Sequence, residues 1–476
     1  MQHLIVEYKS IHDSIHGYIS ISNIANHIIN APEFQRLRDI SQLGTCKYAF
    51  PNAHHNRFVH SIGTYHLAGE ILNNIIKKTL VADIENYLKN INELQDYYSR
   101  KYDSQVFLVD EYICEMIKIA ALCHDLGHGP FSHVFDDFFL PTKKNPHPND
   151  THEERSKLLL ELIIKKSEFL RELVTDSDIE FMKTIISPKE NNTGFLYQIV
   201  SNSFNGLDVD KFDYIARDSY VLGLKSGFDH EGLVKHVKII NNNLVYPERV
   251  LFEIKKMYDT RYSLHKQIYN HKTVVSSQLM MIDLFKILDP ILNLSDSVEN
   301  MEDFCKLTDQ YILNSVDHRF KLYEQLSKYD SKYESFLKTL LEANNIINRL
   351  NTHCFYVFVG YHISNSFIKV KKEHYKLLED FDEKYLDKII IFQTKIGFVS
   401  GDKKNPLQNI YTIKPSLFCS NHNESNTKIS IDEISLITPK TYQEYITMIY
   451  SKENNENDIT KIKCWTDKLI SLLLKE

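Results

Sequence analysis

His124, Asp125, His128 and His133 crowd into the stretch Leu122-Cys123-His124-Asp125-Leu126-Gly127-His128-Gly129-Pro130-Phe131-Ser132-His133. Each can bind a metal or move a proton. Upstream, Tyr112 to Leu122 places Ile113, Met116, Ile117, Ala120 and Ala121 at helical spacing, which predicts a buried helix. That helix would carry His124 and Asp125 inward at its C-terminal end, and Gly127, Gly129 and Pro130 would break it. Burying an imidazole and a carboxylate together is costly unless something pairs with them. A divalent cation does so, because neutral His nitrogen and carboxylate oxygen are both good ligands. A lone His-Asp pair is more simply a helix cap with surface histidines. Two further segments weigh against that reading, Asn56-Arg57-Phe58-Val59-His60-Ser61-Ile62-Gly63 and Asn205-Gly206-Leu207-Asp208-Val209-Asp210-Lys211-Phe212-Asp213-Tyr214.

Taken in order, His60, the His124-Asp125 pair and Asp210 resemble the metal signature of HD-domain phosphohydrolases. The flanks narrow the likeness: Phe34-Gln35-Arg36-Leu37-Arg38, His55-Asn56-Arg57-Phe58, the stretch to His133, Thr151-His152-Glu153, Asp208-Val209-Asp210-Lys211 and Arg261-Tyr262-Ser263-Leu264-His265 follow in that order. Together they resemble the catalytic region of the SAM and HD domain-containing deoxynucleoside triphosphate triphosphohydrolases. The resemblance is strong from near Tyr8 to Ile282 and weaker through Lys404-Asn405-Pro406 to the Trp465 region. It leaves no room for a sterile-alpha-motif domain ahead of Tyr8.

The resemblance implies a metal held by His60, His124, Asp125 and Asp210. Such a set suits Fe, Mn, Mg, Ni or Zn, and without a cysteine it does not read as a closed structural zinc site. Arg57, Lys211 and Arg261 would line the triphosphate, Arg as a bidentate fork and Lys as a point charge. His128, His133, His152 and Glu153 match the catalytic cluster. His133 would give a proton to the leaving 5′ oxygen or act at the α-phosphorus, with His152 and Glu153 setting its tautomer and charge. Gln42, Asp218 and Tyr269 would meet the sugar hydroxyls, Leu43 would crowd out a 2′-hydroxyl, Tyr214 would pack on sugar and phosphate, and His265 would share that wall. The implied reaction is water attack at the α-phosphorus of a dNTP, releasing deoxynucleoside and inorganic triphosphate.

The resemblance further implies activating nucleotides bound between subunits of a dimer or tetramer. Lys9, Asn30, Gln35, Arg38, Phe50, Arg249, His271, Lys272 and Lys452 fall at the matching positions. Asn30 stands where the family has Asp. A carboxylate accepts two hydrogen bonds from a guanine edge, whereas an amide offers one acceptor and one donor group. Gly232 and His353 each replace a family Arg. Guanine-specific activation is therefore expected to be weakened, relaxed to another nucleotide, or absent.

The elements that must position these groups can be read in order. Lys9 to Ile21 suggests a short strand or hairpin, and Ile24 to Gln42 suggests helices interrupted around Ala31-Pro32. Arg57 and His60, three apart, share a helical face. Leu80 to Asp110 reads as a variable insertion with helical parts. Leu140 to Asp150 is a loop, after which Thr151 N-caps a helix. Asp210, Tyr214, Arg217 and Asp218 fall on one helical face, with Phe212 and Ile215 turned to the core. Arg261, His265 and Tyr269 repeat the spacing, so the two stripes would form two walls of a polar pocket. A small hairpin is expected around Asn241-Asn242-Asn243. Beyond Lys286, helices run to Arg349, strands are expected at Cys354–Val359, Ile389–Phe392 and Ile410–Ile413, and helices at Tyr442–Tyr450 and Asp458–Leu474. The expected fold is mainly α, an HD-domain helical core (1–285) with a smaller mixed α+β C-terminal lobe (286–476) and short β-hairpins.

Composition bounds the alternatives. A chain of 476 residues, 43% hydrophobic, can bury a large core, and a net charge of −7 excludes a generally basic nucleic-acid coat. The seven cysteines form no C-x-x-C pair and read as free thiols in a reducing compartment. The N-terminus lacks a signal-peptide plan and no apolar run is long enough to span a bilayer, which predicts an intracellular soluble protein, cytoplasmic or nuclear. Two other readings compete: a different HD phosphohydrolase acting on monophosphates, cyclic nucleotides or nucleic acid, and a non-catalytic scaffold binding nucleotides or single strands. The basic triad and the Gln42/Leu43/Tyr269 set argue against the first. The filled catalytic positions argue against the second.

Overall fold

The computed structural model describes residues 7–225, 227–398, 405–413, 427–428 and 441–473. Lys404 and Leu474, named above, lie outside the described residues. The fold is mainly α with small sheets. The chain opens with an antiparallel hairpin of β1 (Glu7–Asp13) and β2 (Gly17–Ser22), turned at Gly17 with φ 71°. Helix α1 (Asn23–Ile29) follows, N-capped by Ser22. A single turn, Pro32–Gln35, carries Pro32 in its first turn. Helix α2 (Arg57–Lys78) starts at Asn56, whose side chain accepts from the Val59 N–H. Helix α3 (Glu111–Cys123) and helix α4 (His152–Lys166) follow, the latter capped by Thr151 through the Glu154 N–H. Helix α5 (Val209–Val221) is capped by Asp208 through the Lys211 N–H. Helix α2 packs against both α3 and α5, so the three elements that carry the HD residues share one bundle.

The expected hairpin forms from β3 (Lys238–Ile240) and β4 (Asn243–Pro247). Helix α6 (Leu251–Leu264) runs into a π-turn at His265–Tyr269 before α7 (Lys272–Leu292). Helices α8 (Asp309–Leu326) and α9 (Lys332–Asn351) pack on each other, and α9 packs back on α7. Strands β5 (Val357–Ser364) and β6 (Ile389–Gly397) come next, then β7 (Tyr411–Ile413), which pairs in parallel with β4, and β8 (Thr427–Lys428) beside it. Strand β9 (Gln443–Ser451) and helix α10 (Glu456–Leu473) complete the described chain.

The expectation of a helix at Tyr442–Tyr450 fails. That stretch is β9, the central strand of a three-stranded antiparallel sheet, flanked by β5 and β6. Ile446 to Ser451 are all buried, so the strand shows no polar alternation. A strand covered on both faces reads as a continuous apolar run, and periodicity then cannot separate it from a helix. The strand expected at Cys354–Val359 begins later, at Val357, and extends to Ser364.

One apolar core runs through Ile19, Ile71, Ile117, Phe212 and Phe285 and continues without a break into Leu294, Leu340 and Phe392. A smaller cluster of Val359, Tyr375, Ile389 and Trp465 sits under α10. Residues 80–110 are not a loose excursion, because Ile84, Leu88, Leu94, Tyr97 and Tyr98 are buried in the main core. The six cysteines among the described residues are free thiols. No helix among the described residues is long and apolar enough to cross a membrane.

Helix α3 carries the central motif, and Asp110 anchors its start. The Asp110 carboxylate accepts from the Tyr112 and Ile113 N–H groups, both at 3.0 Å, from Tyr97 Oη at 2.6 Å, Tyr102 Oη at 2.9 Å and Lys101 Nζ at 2.7 Å. Burial alone would raise its pKa, but Lys101 and the other donors hold it below the usual value. Its contribution is therefore full above the unfolded pKa of about 3.9 and is lost as pH falls through the lower folded value. Asp110→Ala is expected to cost about 1–3 kcal/mol in urea unfolding at neutral pH and to flatten the stability loss below about pH 4.

Candidate metal centre and phosphate cleft

Three helix ends converge. The first turn of α2 supplies Arg57 and His60, the end of α3 supplies His124 and Asp125, and the first turn of α5 supplies Asp210. His60 Nε2 lies 3.3 Å from Asp125 Oδ2 and 3.2 Å from Asp210 Oδ1. His124 Nε2 lies 3.4 Å from Asp125 Oδ1 and 3.5 Å from Asp210 Oδ1. The opposite nitrogen of each ring is occupied: His60 Nδ1 is 2.8 Å from Asp213 Oδ2, and His124 Nδ1 is 2.8 Å from the Ala121 carbonyl. Donation from Nδ1–H fixes the tautomer and turns a bare Nε2 lone pair inward. Both Nε2 atoms are buried and have no hydrogen-bond partner. Unpartnered buried nitrogens facing two carboxylates fit a divalent cation, and the ligand atoms of His60, His124 and Asp125 lie within 4.8 Å of one another.

Electrostatics agree. Burial would raise the Asp125 and Asp210 carboxyls, but Arg57, His124 and His128 hold the first, and His124, His60 and Lys211 the second, far below the usual range. Burial would lower His60, yet Asp125, Asp210 and Asp213 push it well up. The site is a pocket of negative charge that calls for positive charge.

His60 is held from behind. Arg217 makes two 2.9 Å bonds to Asp213 and one of 2.8 Å to Asp13 Oδ2, and His16 Nε2 lies 2.7 Å from Asp213 Oδ1. This corrects the expectation that Arg217 shares the pocket face with Asp210. At 1% exposure it turns instead to the buried Asp213 and Asp13. The sequence reading named no role for Asp13, His16 or Asp213. The Asp210/Asp213 spacing, one helical turn on α5, was the available signal for the last. A Cβ on Gly63, one turn along α2 from His60, would sit 1.9 Å from Asp213 Oδ1 and 2.5 Å from Arg217 Nη2. Gly63→Ala is therefore expected to displace the pair that orients His60. It should destabilise the protein by about 2–4 kcal/mol in denaturant unfolding and weaken divalent-ion affinity measured by calorimetry.

The residues expected at the phosphate adjoin the centre. Arg57 pairs with Asp125 through Nη1 and donates from Nε to Ser132 Oγ at 2.9 Å. Lys211 Nζ lies 2.9 Å from Asp208 Oδ2, next to Asp210, and Arg261 Nη1 donates to the Gly397 carbonyl at 2.5 Å. His128 Nε2 is 3.3 Å from Asp125 Oδ1, and its Nδ1 is 2.6 Å from Asp136 Oδ2. Arg155 pairs with Asp136. The His128 and His152 rings stack with centroids 4.0 Å apart, and His133 sits 5.0 Å from His128 and 6.1 Å from His152. Glu153 lies 3.4 Å from His152 Nδ1. The Nδ1 partner of His133 is Asp137 at 3.0 Å, a residue the sequence reading did not single out. Desolvation, which would lower His133, is outweighed by this bond, so its pKa is raised. Burial, together with the charge of His128, pushes His152 well down. Phe131 and Ser132, between these histidines, hold φ of 57° and 54°, left-handed values unusual for such side chains.

The residues expected on the sugar side also meet. Tyr269 Oη donates to Asp218 Oδ2 at 2.5 Å, and His55 Nε2 is 2.6 Å from Asp218 Oδ1. Gln42 N–H donates to the His55 carbonyl at 3.1 Å, and Gln42 Oε1 is buried without a partner. Leu43, half-buried, packs with Cys46, Ala53 and Val274. The His265 and Tyr269 rings are 4.9 Å apart across the π-turn, which replaces the continuous α-helix expected over Arg261–Tyr269. Tyr214 is half-buried on α5.

The expected regulatory positions fall into groups. Asn30 is exposed at the end of α1 and donates to Asn26 Oδ1 at 3.2 Å. Gln35 donates to the Ile29 carbonyl at 2.7 Å, and Arg38 donates to Gln35 Oε1 at 2.8 Å while lying over Phe58. Phe50 and His271 meet ring to ring at 5.5 Å, and His271 N-caps α7 just before Lys272. Lys452 is paired with Asp283 at 2.5 Å. Lys9 on β1 and Arg249 after β4 make no described hydrogen bond with either group. Gly232 lies where a Cβ would meet the Asp229 carboxylate at 2.3 Å, and His353 has φ 57°.

Comparison with known proteins extends over most of the chain. No family profile matches it. It is 39% identical over 402 residues to an HD domain-containing protein of Acanthamoeba polyphaga mimivirus, covering 84% of this chain and 83% of that protein. It is 32% identical over 461 residues to the deoxynucleoside triphosphate triphosphohydrolase SAMHD1 homolog of Dictyostelium discoideum, covering 94% and 78%. It is 31% identical over 492 residues to the deoxynucleoside triphosphate triphosphohydrolase SAMHD1 of Homo sapiens, covering 94% and 70%. At these identities over nearly the whole chain, the ordered motifs and the converging helix ends have one common account: the chain belongs to the SAMHD1 family of HD-domain proteins.

Proposed function

We propose that the protein is a metal-dependent deoxynucleoside triphosphate triphosphohydrolase, converting a dNTP and water to deoxynucleoside and inorganic triphosphate. The observation that carries this is the pair of buried, unpartnered Nε2 atoms of His60 and His124 facing Asp125 and Asp210, with Arg57 and Lys211 beside them. A divalent ion held by those four residues (Fe, Mn, Mg, Ni or Zn) would supply Lewis acidity and neutralise phosphate charge. Arg57, Lys211 and Arg261 bind the triphosphate oxygens. Water attacks the α-phosphorus, the bond from α-phosphorus to the 5′ oxygen breaks, and His133 delivers a proton to that oxygen. Asp137 keeps His133 protonated for this step. His128, braced by Asp136, stacks with His152 to wall the reacting centre, and Glu153 orients His152.

On the sugar side, Gln42 Oε1, Asp218 and Tyr269 take the hydroxyl edge, while Leu43 excludes a 2′-hydroxyl and Tyr214 and His265 pack on the sugar and phosphate. A polar group of nine-tenths burial without a partner marks where a ligand hydrogen bond is missing. Residues 1–285 form the catalytic core and 286–476 the regulatory and oligomerisation lobe. Activation works through self-association to a dimer or tetramer around nucleotides held by Lys9, Asn30, Gln35, Arg38, Phe50, Arg249, His271, Lys272 and Lys452. Asn30 relaxes or removes the guanine requirement. The test is release of inorganic triphosphate from each dNTP, with and without chelator and with candidate activators, alongside solution mass. Cleavage of monophosphates or RNA alone overturns the reading, as does single-strand binding without cleavage. Strict GTP dependence overturns the part about Asn30.

A further inference from the structure

Asp309 opens α8, well beyond the HD motifs, yet its side chain is 3% exposed and reaches two loops of the site. One oxygen accepts from the Phe131 N–H at 2.6 Å and the other from the Ser41 N–H at 3.0 Å. The first loop leads directly into His133. The second leads into Gln42 and Leu43. Ser132 Oγ donates to the Ser41 carbonyl at 2.7 Å and closes the same two loops from another side, while also accepting from Arg57, the partner of Asp125. Phe131 and Ser132 occupy the left-handed region, a conformation that persists only where surroundings impose it. Gly44 shows how close the loops run, since a Cβ there would sit 2.9 Å from the Phe131 carbonyl oxygen.

The residues just before Asp309 brace the same place. Arg36 donates to the Leu307 carbonyl at 2.9 Å and to the His128 carbonyl at 2.6 Å. The Phe304 ring lies under the guanidinium groups of both Arg36, at 4.6 Å, and Arg155, at 4.9 Å. Arg155 in turn holds Asp136, the partner of His128. The stretch from Phe304 to Asp309 thus touches Arg36 and Arg155, which brace His128, and the loop that leads to His133.

We propose that Asp309 is a positioning residue that sets the separation between the sugar-side loop at 41–44 and the histidine loop at 128–133. In the triphosphohydrolase reading, on which this rests, that separation governs sugar discrimination. A carboxylate suits the task because it is acceptor-only and faces two N–H donors. An amide of the same shape would set its own NH2 against one of them. Loosening the loops moves Gln42 and Leu43 relative to the reacting centre, and a misplacement of about 1 Å can cost on the order of 10²-fold in rate.

The test compares wild type with Asp309→Asn, loaded with the same divalent ion. Hydrogen exchange is followed at 41–44 and 128–133, and triphosphate release is followed from a dNTP and the matching ribonucleotide. The expected result is equal metal content, faster exchange in both loops, a higher KM for the dNTP, and a roughly tenfold smaller preference for dNTP over ribonucleotide. A purely structural role would lower Tm and active fraction while leaving that preference unchanged. Unchanged exchange in either loop, or an unchanged preference in an active enzyme, overturns the proposal. If Asp309→Asn does not fold, Asp309→Glu, with both acceptors but a longer reach, must shift exchange and preference in the same direction by a smaller factor. A wild type inert on every dNTP, with both loops loosened in the variant, overturns the triphosphohydrolase reading and leaves the positional assignment standing.

Discussion

His60→Ala is expected to leave the purified protein without a stably bound divalent ion and to lower triphosphate release from dNTPs by at least about 10³-fold. The imidazole is fully buried, and of the two imidazoles it is the one whose second nitrogen is fixed by a carboxylate that is itself clamped by an arginine. Its loss removes a ligand and the one group shared by Asp125, Asp210 and Asp213, leaving Asp125 to Arg57, Asp213 to Arg217 and Asp210 to His124. Breaking a buried pair in this way costs about 3–5 kcal/mol, so stability must be followed as well. His124→Ala separates the two effects: at 11% side-chain exposure it is nearer solvent, and its Nδ1 leans only on a backbone carbonyl. Metal content by elemental analysis, activity and Tm for both variants decide the matter. A His124→Ala protein that is folded, fully metallated and active would refute the assignment of the centre.

The next largest effect is expected at His133. His133→Gln should lower kcat by about 10²–10⁴-fold, the usual contribution of a positioned proton donor, at unchanged metal content. A donor works in its protonated form, below its own pKa. Desolvation pulls the His133 pKa down and the Asp137 bond pulls it up further, so the folded value lies above 6.5. The alkaline limb of the kcat profile should therefore fall above pH 6.5 and move to lower pH in Asp137→Asn, where the opposing carboxylate is gone. A limb that stays in place in that variant, or a His133→Gln enzyme with undiminished kcat, would exclude His133 as the donor.

Much of the molecule was legible from sequence, for identifiable reasons. Helix α3 announced itself because one face is apolar and a Gly/Pro cluster follows it, and Thr151 declared the start of α4 through a side chain that can cap only locally. What stayed hidden depends on partners distant in the chain. Asp213 braces His60 across 153 positions, and Asp309 reaches Phe131 across 178. No local pattern encodes either pairing. Arg217 misled for a related reason: helical spacing gave its face, but the choice between the cleft and the buried Asp13 was made by the β1–β2 turn. Strand β9 misled because both its faces are packed, Ile446, Met448 and Tyr450 in the main core and Ile449 in the smaller cluster, which erases the alternation that would have marked it. Asp136 and Asp137 lay in plain view beside the histidines, yet which of the two meets which ring follows from a π-turn at Val134–Phe139, directly after His133, that no spacing announced.

The other π-turn, His265–Tyr269, carries a consequence for how this protein can change over generations. A π-turn holds one residue more than an α-turn, and each helical residue advances about 100° around the axis. Because the π-turn absorbs that extra residue, loss of a single codon between His265 and Tyr269 would restore the plain spiral and leave the phenol close to Asp218, its present partner at 2.5 Å. The chain can thus shorten by one residue at this point while keeping the contact between Tyr269 and Asp218.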